Sequence, residues 1–395
     1  MAADVGGATG SGAEAEGPGG TGRAGGGLPA PLPPAALSHV VYALCGHGRG
    51  HESRARAVAA ALRARGHRVT LAADAPAADR LADASDGEIW RVPGLRQVVR
   101  GNRARLLATA RANLPLTWRS PEIIADAAGW LDRVGADLVV GDHEPFVTRA
   151  AGRLGVPVVT LSHQLVLTET RPRVPLRHGL SALGTRLGIG ILNPPGAAAA
   201  VVPSFFFPPL RAGSRATLVP PILRDDVLRA RAHAGGRLLV YVNEGAGMGG
   251  LLDALAEAGV PADVYGLDAS VGAPAGVRLR PPSRAGFLAD LAGARAVVTT
   301  AGFTLLSEAL HLRKPVLALP NRGFFEQAVN ALALEDQGRG EAVFGRLTAA
   351  RLGAFLDRAD DAPAPGPRDD GRRGREAAAD AIEAVLGAPA HRRAA

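Results

Sequence analysis

The chain has 395 residues, 47% of them hydrophobic and only 4% aromatic, enough apolar material for two domains with cores of their own. A single cysteine, Cys45, excludes an internal disulfide and a multi-cysteine zinc site, which fits a reducing, cytoplasmic location. The formal net charge of +8 rests almost wholly on arginine, Lys314 being the sole lysine; beside so much alanine, glycine and proline this is a coding bias rather than a phosphate-tracking surface, and no nucleic-acid partner is expected.

Residues 1–37 are rich in Gly, Ala and Pro, cannot bury enough surface to offset their ordering entropy, and are expected to be disordered. A first domain is expected over 38–218. It opens on the apolar run 40–45, a glycine-rich turn, a helix marked by Ala55, Val58, Ala59 and Leu62, and a strand over 68–72 after Gly66. Seven arginines and no acid fall between Arg91 and Arg119, within a stretch read as loops that contact the second substrate. The strand-helix-strand pattern recurs at 137–142, the helix to Leu154, and 156–161. A second basic cluster follows at Arg171, Arg173, Arg177 and Arg186. The apolar run 197–210 is cut by Pro203, Pro208 and Pro209, so no segment reaches the roughly 18 residues of a membrane span. No basic-then-apolar leader is seen either, and the protein is expected to be soluble or at most peripheral to a membrane.

A Pro-rich linker is expected over 219–236 and a second domain over 237–358. Its strands are read at 238–242, 263–267, 296–299 and 316–319, with helices from about Arg284, Thr304 and Phe325. Residues 359–395 read as a charged spacer, a last helix over 376–386 that packs back across the domains, and a tail. Strands alternating with helices imply two α/β, doubly wound domains with parallel sheets covered on both faces. Ligands of such sheets bind at the carboxyl ends of the strands, here in the cleft between the domains.

The motifs cluster at those strand ends. Residues 46–54 read G-H-G-R-G-H-E-S-R and residues 142–145 read D-H-E-P. Residues 245–250, G-A-G-M-G-G, satisfy the dinucleotide fingerprint G-x-G-x-x-G, with Asp268 placed 18 residues beyond Gly250 as a ribose acid would be. Taken alone that favours a nicotinamide enzyme, but it opens the second domain and no hydride-transfer constellation accompanies it. His47 and His51 are four apart, yet the intervening glycines argue against helical presentation and no third ligand is fixed, so no metal is expected. Residues 299–304, T-T-A-G-F-T, end a strand and open a helix with Thr304 as its expected cap, and Glu308 follows about a turn later. Pro320 ends the next strand, and Glu326, Gln327 and Asn330 share the following helix.

Taken in this order, G-x-G-x-G-H-x-x-R, D-x-E-P and the E…P…E-Q-x-x-N series make residues 40–340 resemble glycosyltransferases of the GT-B fold. The likeness is to the group akin to the peptidoglycan N-acetylglucosaminyltransferase and to a set of bacterial and archaeal glycosyltransferases. It implies two Rossmann-like domains facing across a cleft, a nucleotide-diphosphate sugar, most simply a UDP-sugar, as co-substrate, no other cofactor, and transfer with inversion. In that reading His51 is the general base and Asp142 its orienting partner, with Glu144 the alternative. Gly48, Arg49, Gly50 and Arg54 join Glu144 on the acceptor side. Asn243, Glu244, Gly245, Gly247, Thr300, Ala301, Gly302, Phe303 and Thr304 approach the diphosphate, Glu308 takes the ribose hydroxyls, and Pro320, Glu326, Gln327 and Asn330 complete the donor pocket. The acceptor hydroxyl is unidentified; the arginine clusters suit an anionic or lipid-linked molecule and a peripheral membrane contact. A same-fold UDP-N-acetylglucosamine 2-epimerase, a nucleotide-sugar hydrolase and a non-catalytic nucleotide-sugar binder remain alternatives.

Overall fold

The computed structural model describes residues 37–46, 49–82, 89–96, 98–100, 103–104, 106–174, 179–242, 250–268, 270–321, 323–361 and 372–388. The N-terminal segment through residue 36, His47 and Gly48, the glycine loop bearing Asn243, Glu244, Gly245 and Gly247, and the spacer 362–371 lie outside the described residues.

The first lobe begins with β1 (His39–Leu44), α1 (Arg49–Ala64), β2 (Arg68–Ala73), α2 (Ala75–Leu81), β3 (Trp90–Arg91), the short strands β4 (Val99–Arg100) and β5 (Arg103–Ala104), and α3 (Leu106–Val134). It continues through β6 (Leu138–Asp142), α4 (Pro145–Arg153), β7 (Val158–Leu161), a 3₁₀ turn at His163–Leu165, α5 (Val166–Glu169), α6 (Gly179–Leu192), β8 (Ala199–Pro203) and β9 (Ala216–Val219). The second lobe follows as α7 (Asp225–Arg229), β10 (Leu238–Tyr241), α8 (Leu251–Glu257), β11 (Ala262–Tyr265), β12 (Val277–Arg280), α9 (Arg284–Ala292), β13 (Ala296–Thr299), α10 (Phe303–His311), β14 (Val316–Ala318), α11 (Phe325–Asp336), β15 (Glu341–Ala342) and α12 (Ala349–Asp361), and α13 (Arg372–Leu386) ends the series.

The first sheet runs β3-β2-β1-β6-β7-β8-β9 and the second β12-β11-β10-β13-β14-β15. Every neighbouring pair in both sheets is parallel. In each, the chain starts in the middle, winds to one edge, then returns to wind to the other, so strand order reverses between β1 and β6 and again between β10 and β13. A parallel strand covered on both faces must be apolar throughout, and β1, β6, β7 and β13 are buried along their whole length. At a reversal the two helices leave on opposite faces, which opens a crevice at the strand ends. Gly46, the start of α1 and Asp142 flank one such crevice; the end of β10 and the turn 300–302 flank the other.

Three placements differ from the sequence reading. The stretch expected as acceptor loops is helical from Leu106 despite Pro115 and Pro121. A proline removes one backbone hydrogen bond and normally kinks or ends a helix, but here burial of Ile123, Ile124, Ala127, Trp130 and Leu131 against Val139, Phe146 and Val147 holds the second half. Within the expected linker 219–236, Val219 ends the edge strand β9 of the first sheet and Asp225–Arg229 form α7. The last helix starts at Arg372 and joins the first lobe: Ala378, Ala379, Ile382 and Val385 complete the core formed by Val58, Leu62 and Val219. Arg65 at the end of α1 fastens it through Glu376, Asp380 and Glu383, at 2.8, 2.7 and 2.7 Å.

Candidate active site

Asp142, the last residue of β6, is fully buried beside Leu44 at the end of β1. A buried carboxylate survives ionised only if its lone pairs are occupied, and four donors converge on this one. Its Oδ1 accepts from His51 Nδ1 and from Arg54 Nη2, each at 2.7 Å. Its Oδ2 accepts from Arg54 Nε at 2.9 Å and from the Tyr42 hydroxyl at 3.2 Å. His51 and Arg54 lie three apart on the first turns of α1, so one helix face delivers both.

Burial alone would push Asp142 up, but Arg54 and His51 outweigh it and hold the carboxyl well below its usual range. Burial disfavours the His51 imidazolium, yet the negative charges of Cys45 and Asp142 outweigh that and push its pKa up to about 10. Nδ1 lies against Asp142 and, at 2.9 Å, Arg54 Nη2, and Cys45 also hydrogen-bonds the ring, so the imidazole can act as a base only once the imidazolium has lost its proton, towards the alkaline range. Arg54, expected to face an anionic acceptor, is instead committed to Asp142 and only 6% exposed.

Glu144 does not reach His51. Its carboxylate caps α4, accepting from Phe146 N at 3.0 Å and Val147 N at 2.7 Å, with Pro145 at the first helical position. The residue between, His143, has a left-handed backbone (φ 55°) and packs edge-on against the His51 ring with centroids 5.6 Å apart. Burial and the neighbouring His51 push its pKa down to about 3, so it stays neutral.

Gly50 brings the two lobes together. A Cβ built on it would lie 2.6 Å from the Thr304 hydroxyl oxygen, so a larger residue would have to push the Thr304 side chain aside or hold α1 off the start of α10. Arg49 precedes it as the first residue of α1. The helix α10 begins one residue earlier than expected: Gly302 is its cap, without a side-chain bond, and Thr304 sits inside the first turn. Ala301, in a left-handed conformation (φ 64°), makes the turn into it. The carbonyl of Ala301 accepts from Asn330 Nδ2 at 3.2 Å, and the Asn330 oxygen lies 2.8 Å from His163 Nε2 of the first lobe. Asn330 therefore braces the turn and ties the lobes. Phe303 stacks on the same His163, centroids 3.7 Å apart. The Thr300 hydroxyl is buried and has no hydrogen-bond partner among the described residues.

Glu308 lies 4% exposed on α10 and accepts a forked pair from Arg224, Nε to Oε1 at 2.9 Å and Nη2 to Oε2 at 3.2 Å. Arg224, in the connection between the lobes, was not singled out from the sequence. Gln327 Oε1 accepts from Asn321 N at 2.9 Å and so holds the loop after Pro320, with Glu326 half-buried beside it. Asp268, the ribose acid of the dinucleotide reading, is exposed and accepts from Ser270 N at 2.8 Å. Among the described residues no three His, Cys, Asp or Glu side chains are grouped to hold a metal ion.

Two doubly wound lobes, one with a half-buried imidazole on a buried carboxylate and the other with a helix N-terminus that has no side-chain cap, have the two-domain α/β architecture of the GT-B class. The model of glycosyl transferase family 1 matches residues 38–360, and the chain belongs to that family and is a glycosyltransferase. No curated protein sequence matches it significantly. Solved structures share its fold. The calicheamicin glycosyltransferase CalG4 is 21% identical with a TM-score of 0.59, over 89% of this chain and 99% of that one. MurG of Acinetobacter baumannii is 17% identical with a TM-score of 0.52, over 88% and 99%. The glycosyltransferase SsfS6 of Streptomyces sp. SF2575, complexed with thymidine diphosphate, is 19% identical with a TM-score of 0.52, over 90% and 98%.

Proposed function

We propose that the protein transfers a sugar from a nucleoside-diphosphate sugar, a UDP-sugar in our reading, to an acceptor hydroxyl, with inversion and without a metal. The observation that carries this is the His51–Asp142 pair set beside the N-terminus of α10, with Gly50 against Thr304. His51 Nε2 takes the acceptor proton as the acceptor oxygen attacks the anomeric carbon from the face opposite the diphosphate. The bond from that carbon to the diphosphate oxygen breaks, and the nucleoside diphosphate leaves with the electron pair. First-turn amides of α10, which have no partner within the helix, and the helix dipole receive the charge. Thr300, Gly302 and Thr304 line that end, and Glu308 takes the ribose hydroxyls further along. Asn243, Glu244, Gly245 and Gly247 are assigned to the same diphosphate by family resemblance, and Glu326 to the donor sugar.

The capture of thymidine diphosphate by SsfS6 supports a nucleoside-diphosphate donor in this fold. On the acceptor side, α3 exposes Trp118 (77%) and Leu114 (52%) beside Arg111 and Arg119, a surface suited to an anionic, partly apolar acceptor. Among the described residues no helix is long and apolar enough to cross a membrane.

Incubating the protein with UDP- and dTDP-sugars, with and without an acceptor panel, tests the reading. Acceptor-dependent release of nucleoside diphosphate is expected, whereas epimer or free sugar formed at turnover rates without acceptor would favour the epimerase or hydrolase. Since every step above is assigned to protein groups, saturating chelator is expected to leave the rate unchanged; complete loss restored by a divalent cation would overturn the metal-free assignment. Removing the Glu308 carboxylate with Glu308→Ala is expected to weaken UDP binding by about 1–3 kcal/mol, the cost of losing charged hydrogen bonds. An unchanged dissociation constant in titration calorimetry would end the ribose assignment.

A further inference from the structure

Two of the buried carboxylates of the cleft, Asp142 and Glu308, differ in one respect. A carboxylate offers about four acceptor positions, two on each oxygen. Those of Asp142 are filled by His51, Arg54 twice, and Tyr42. Those of Glu308 are half filled: among the described residues only Arg224 donates to it, once to each oxygen. Glu308 is nonetheless just as enclosed, on a helix whose Leu305, Leu306, Ala309 and Leu310 are all buried.

We propose that Arg224 is a positioning residue for the donor: its fork fixes the Glu308 carboxylate as an anion with one open acceptor position on each oxygen, matched to the paired 2′ and 3′ hydroxyls of a ribonucleotide. The inference rests on the reading that Glu308 receives the ribose. Three features carry it. The guanidinium meets the carboxylate through two different nitrogens, which sets the plane of the carboxylate as well as its distance. Arg224 is itself anchored, its Nη1 lying 3.3 Å from Asp226, which also accepts from Arg284 Nε at 3.1 Å. And Arg224 caps α7, the first element of the second lobe, so the connection between the lobes, not the donor lobe's sheet, sets the orientation of the ribose acceptor.

A pH signature accompanies the geometry. Burial pushes the Glu308 carboxyl up, and Arg224 is the chief force against it; of the other charges facing it, Asp226 raises it further and Arg284 lowers it. Without Arg224 the carboxyl protonates at higher pH, and a protonated acid offers fewer acceptor positions. Affinity for a ribonucleotide would then be lost at low pH and regained as pH rises.

The test is calorimetric titration of UDP and of dUDP into the full-length protein, its Glu308→Gln, Arg224→Gln and Arg224→Lys variants, from pH 6 to 9. dUDP has the same base and the same diphosphate titration but lacks the 2′ hydroxyl, so the UDP/dUDP affinity ratio isolates the contact of Glu308 with that hydroxyl. Wild type is expected to favour UDP by roughly tenfold, the effect of about one hydrogen bond to a charged group. Arg224→Gln should collapse that ratio towards unity at pH 6.5 and recover part of it by pH 9. Arg224→Lys, which keeps the charge without the fork, should lower the ratio at every pH without moving the pH limb, and it carries the test if the glutamine variant does not fold. If Glu308→Gln lowers the ratio while both Arg224 variants keep the wild-type ratio and pH limb, Arg224 has no positioning role and the ribose reading stands. If Glu308→Gln itself leaves the ratio unchanged, the ribose reading falls and this inference with it.

Discussion

His51→Ala is expected to lower kcat by roughly 10²- to 10⁴-fold, the range contributed by a positioned general base, while the dissociation constant for UDP stays within about twofold. The split follows from position. His51 belongs to α1 of the first lobe and meets Asp142, whereas the amides of α10 and the Glu308 carboxylate belong to the second. An alanine there removes the proton acceptor and leaves the groups assigned to the nucleotide in place. Single-turnover rates and titration calorimetry on the same preparation read both quantities. Parallel loss of UDP binding would move His51 to the donor site, and near-wild-type turnover would remove it from the chemistry altogether.

The second large effect is expected at Asp142. Asp142→Ala strands the Arg54 guanidinium, which is 6% exposed and has its fork on this carboxylate, and breaking one side of a buried ion pair costs about 3–5 kcal/mol. A marked fall in Tm should follow. Asp142→Asn keeps the shape but withdraws one of the two negative charges, that of Cys45 being the other, that together raise the His51 pKa from 6.5 to about 10. The acidic limb of kcat/KM against pH, set by loss of the imidazolium proton, is therefore expected to move to lower pH in the asparagine variant, with a lower plateau because an amide cannot stabilise the imidazolium that forms. Stability against pH should change in a matching way. The depressed Asp142 pKa stabilises wild type above the unfolded value of about 3.9 and this is lost as pH falls through the folded value. The raised His51 pKa stabilises it fully below 6.5 and this is lost as pH rises through about 10. Asp142→Asn should flatten both flanks; a variant with the wild-type limb and the wild-type flanks would show that Asp142 exerts no charge on His51.

Much of this was legible in the sequence, for a physical reason. The winding of both sheets follows from apolar runs that alternate with helical spacing, and such sheets gather their ligands at strand ends, so His51 and Asp142 stood out by position. Their pairing was open, because Glu144 is two residues away; only coordinates reveal that Glu144 is spent on the amides of Phe146 and Val147. What the sequence hid is long-range or depends on packing. Arg224 and Glu308 are 84 positions apart, with Arg224 next to prolines that read as linker. His163 and Asn330 are separated by 167, and neither carries a motif that points to the other. The helix α3 was obscured by Pro115 and Pro121, whose local penalty is overruled by the core beneath residues 123–131.

The return of α13 to the first lobe has a mechanical consequence. The polypeptide leaves the first lobe after β9 and is back on it by α13, so the core of that lobe is closed by helices from both ends of the fold. Cutting the chain between α12 and α13 would free α13 to leave and would strip Ala378, Ala379, Ile382 and Val385 from beside Val58 and Leu62.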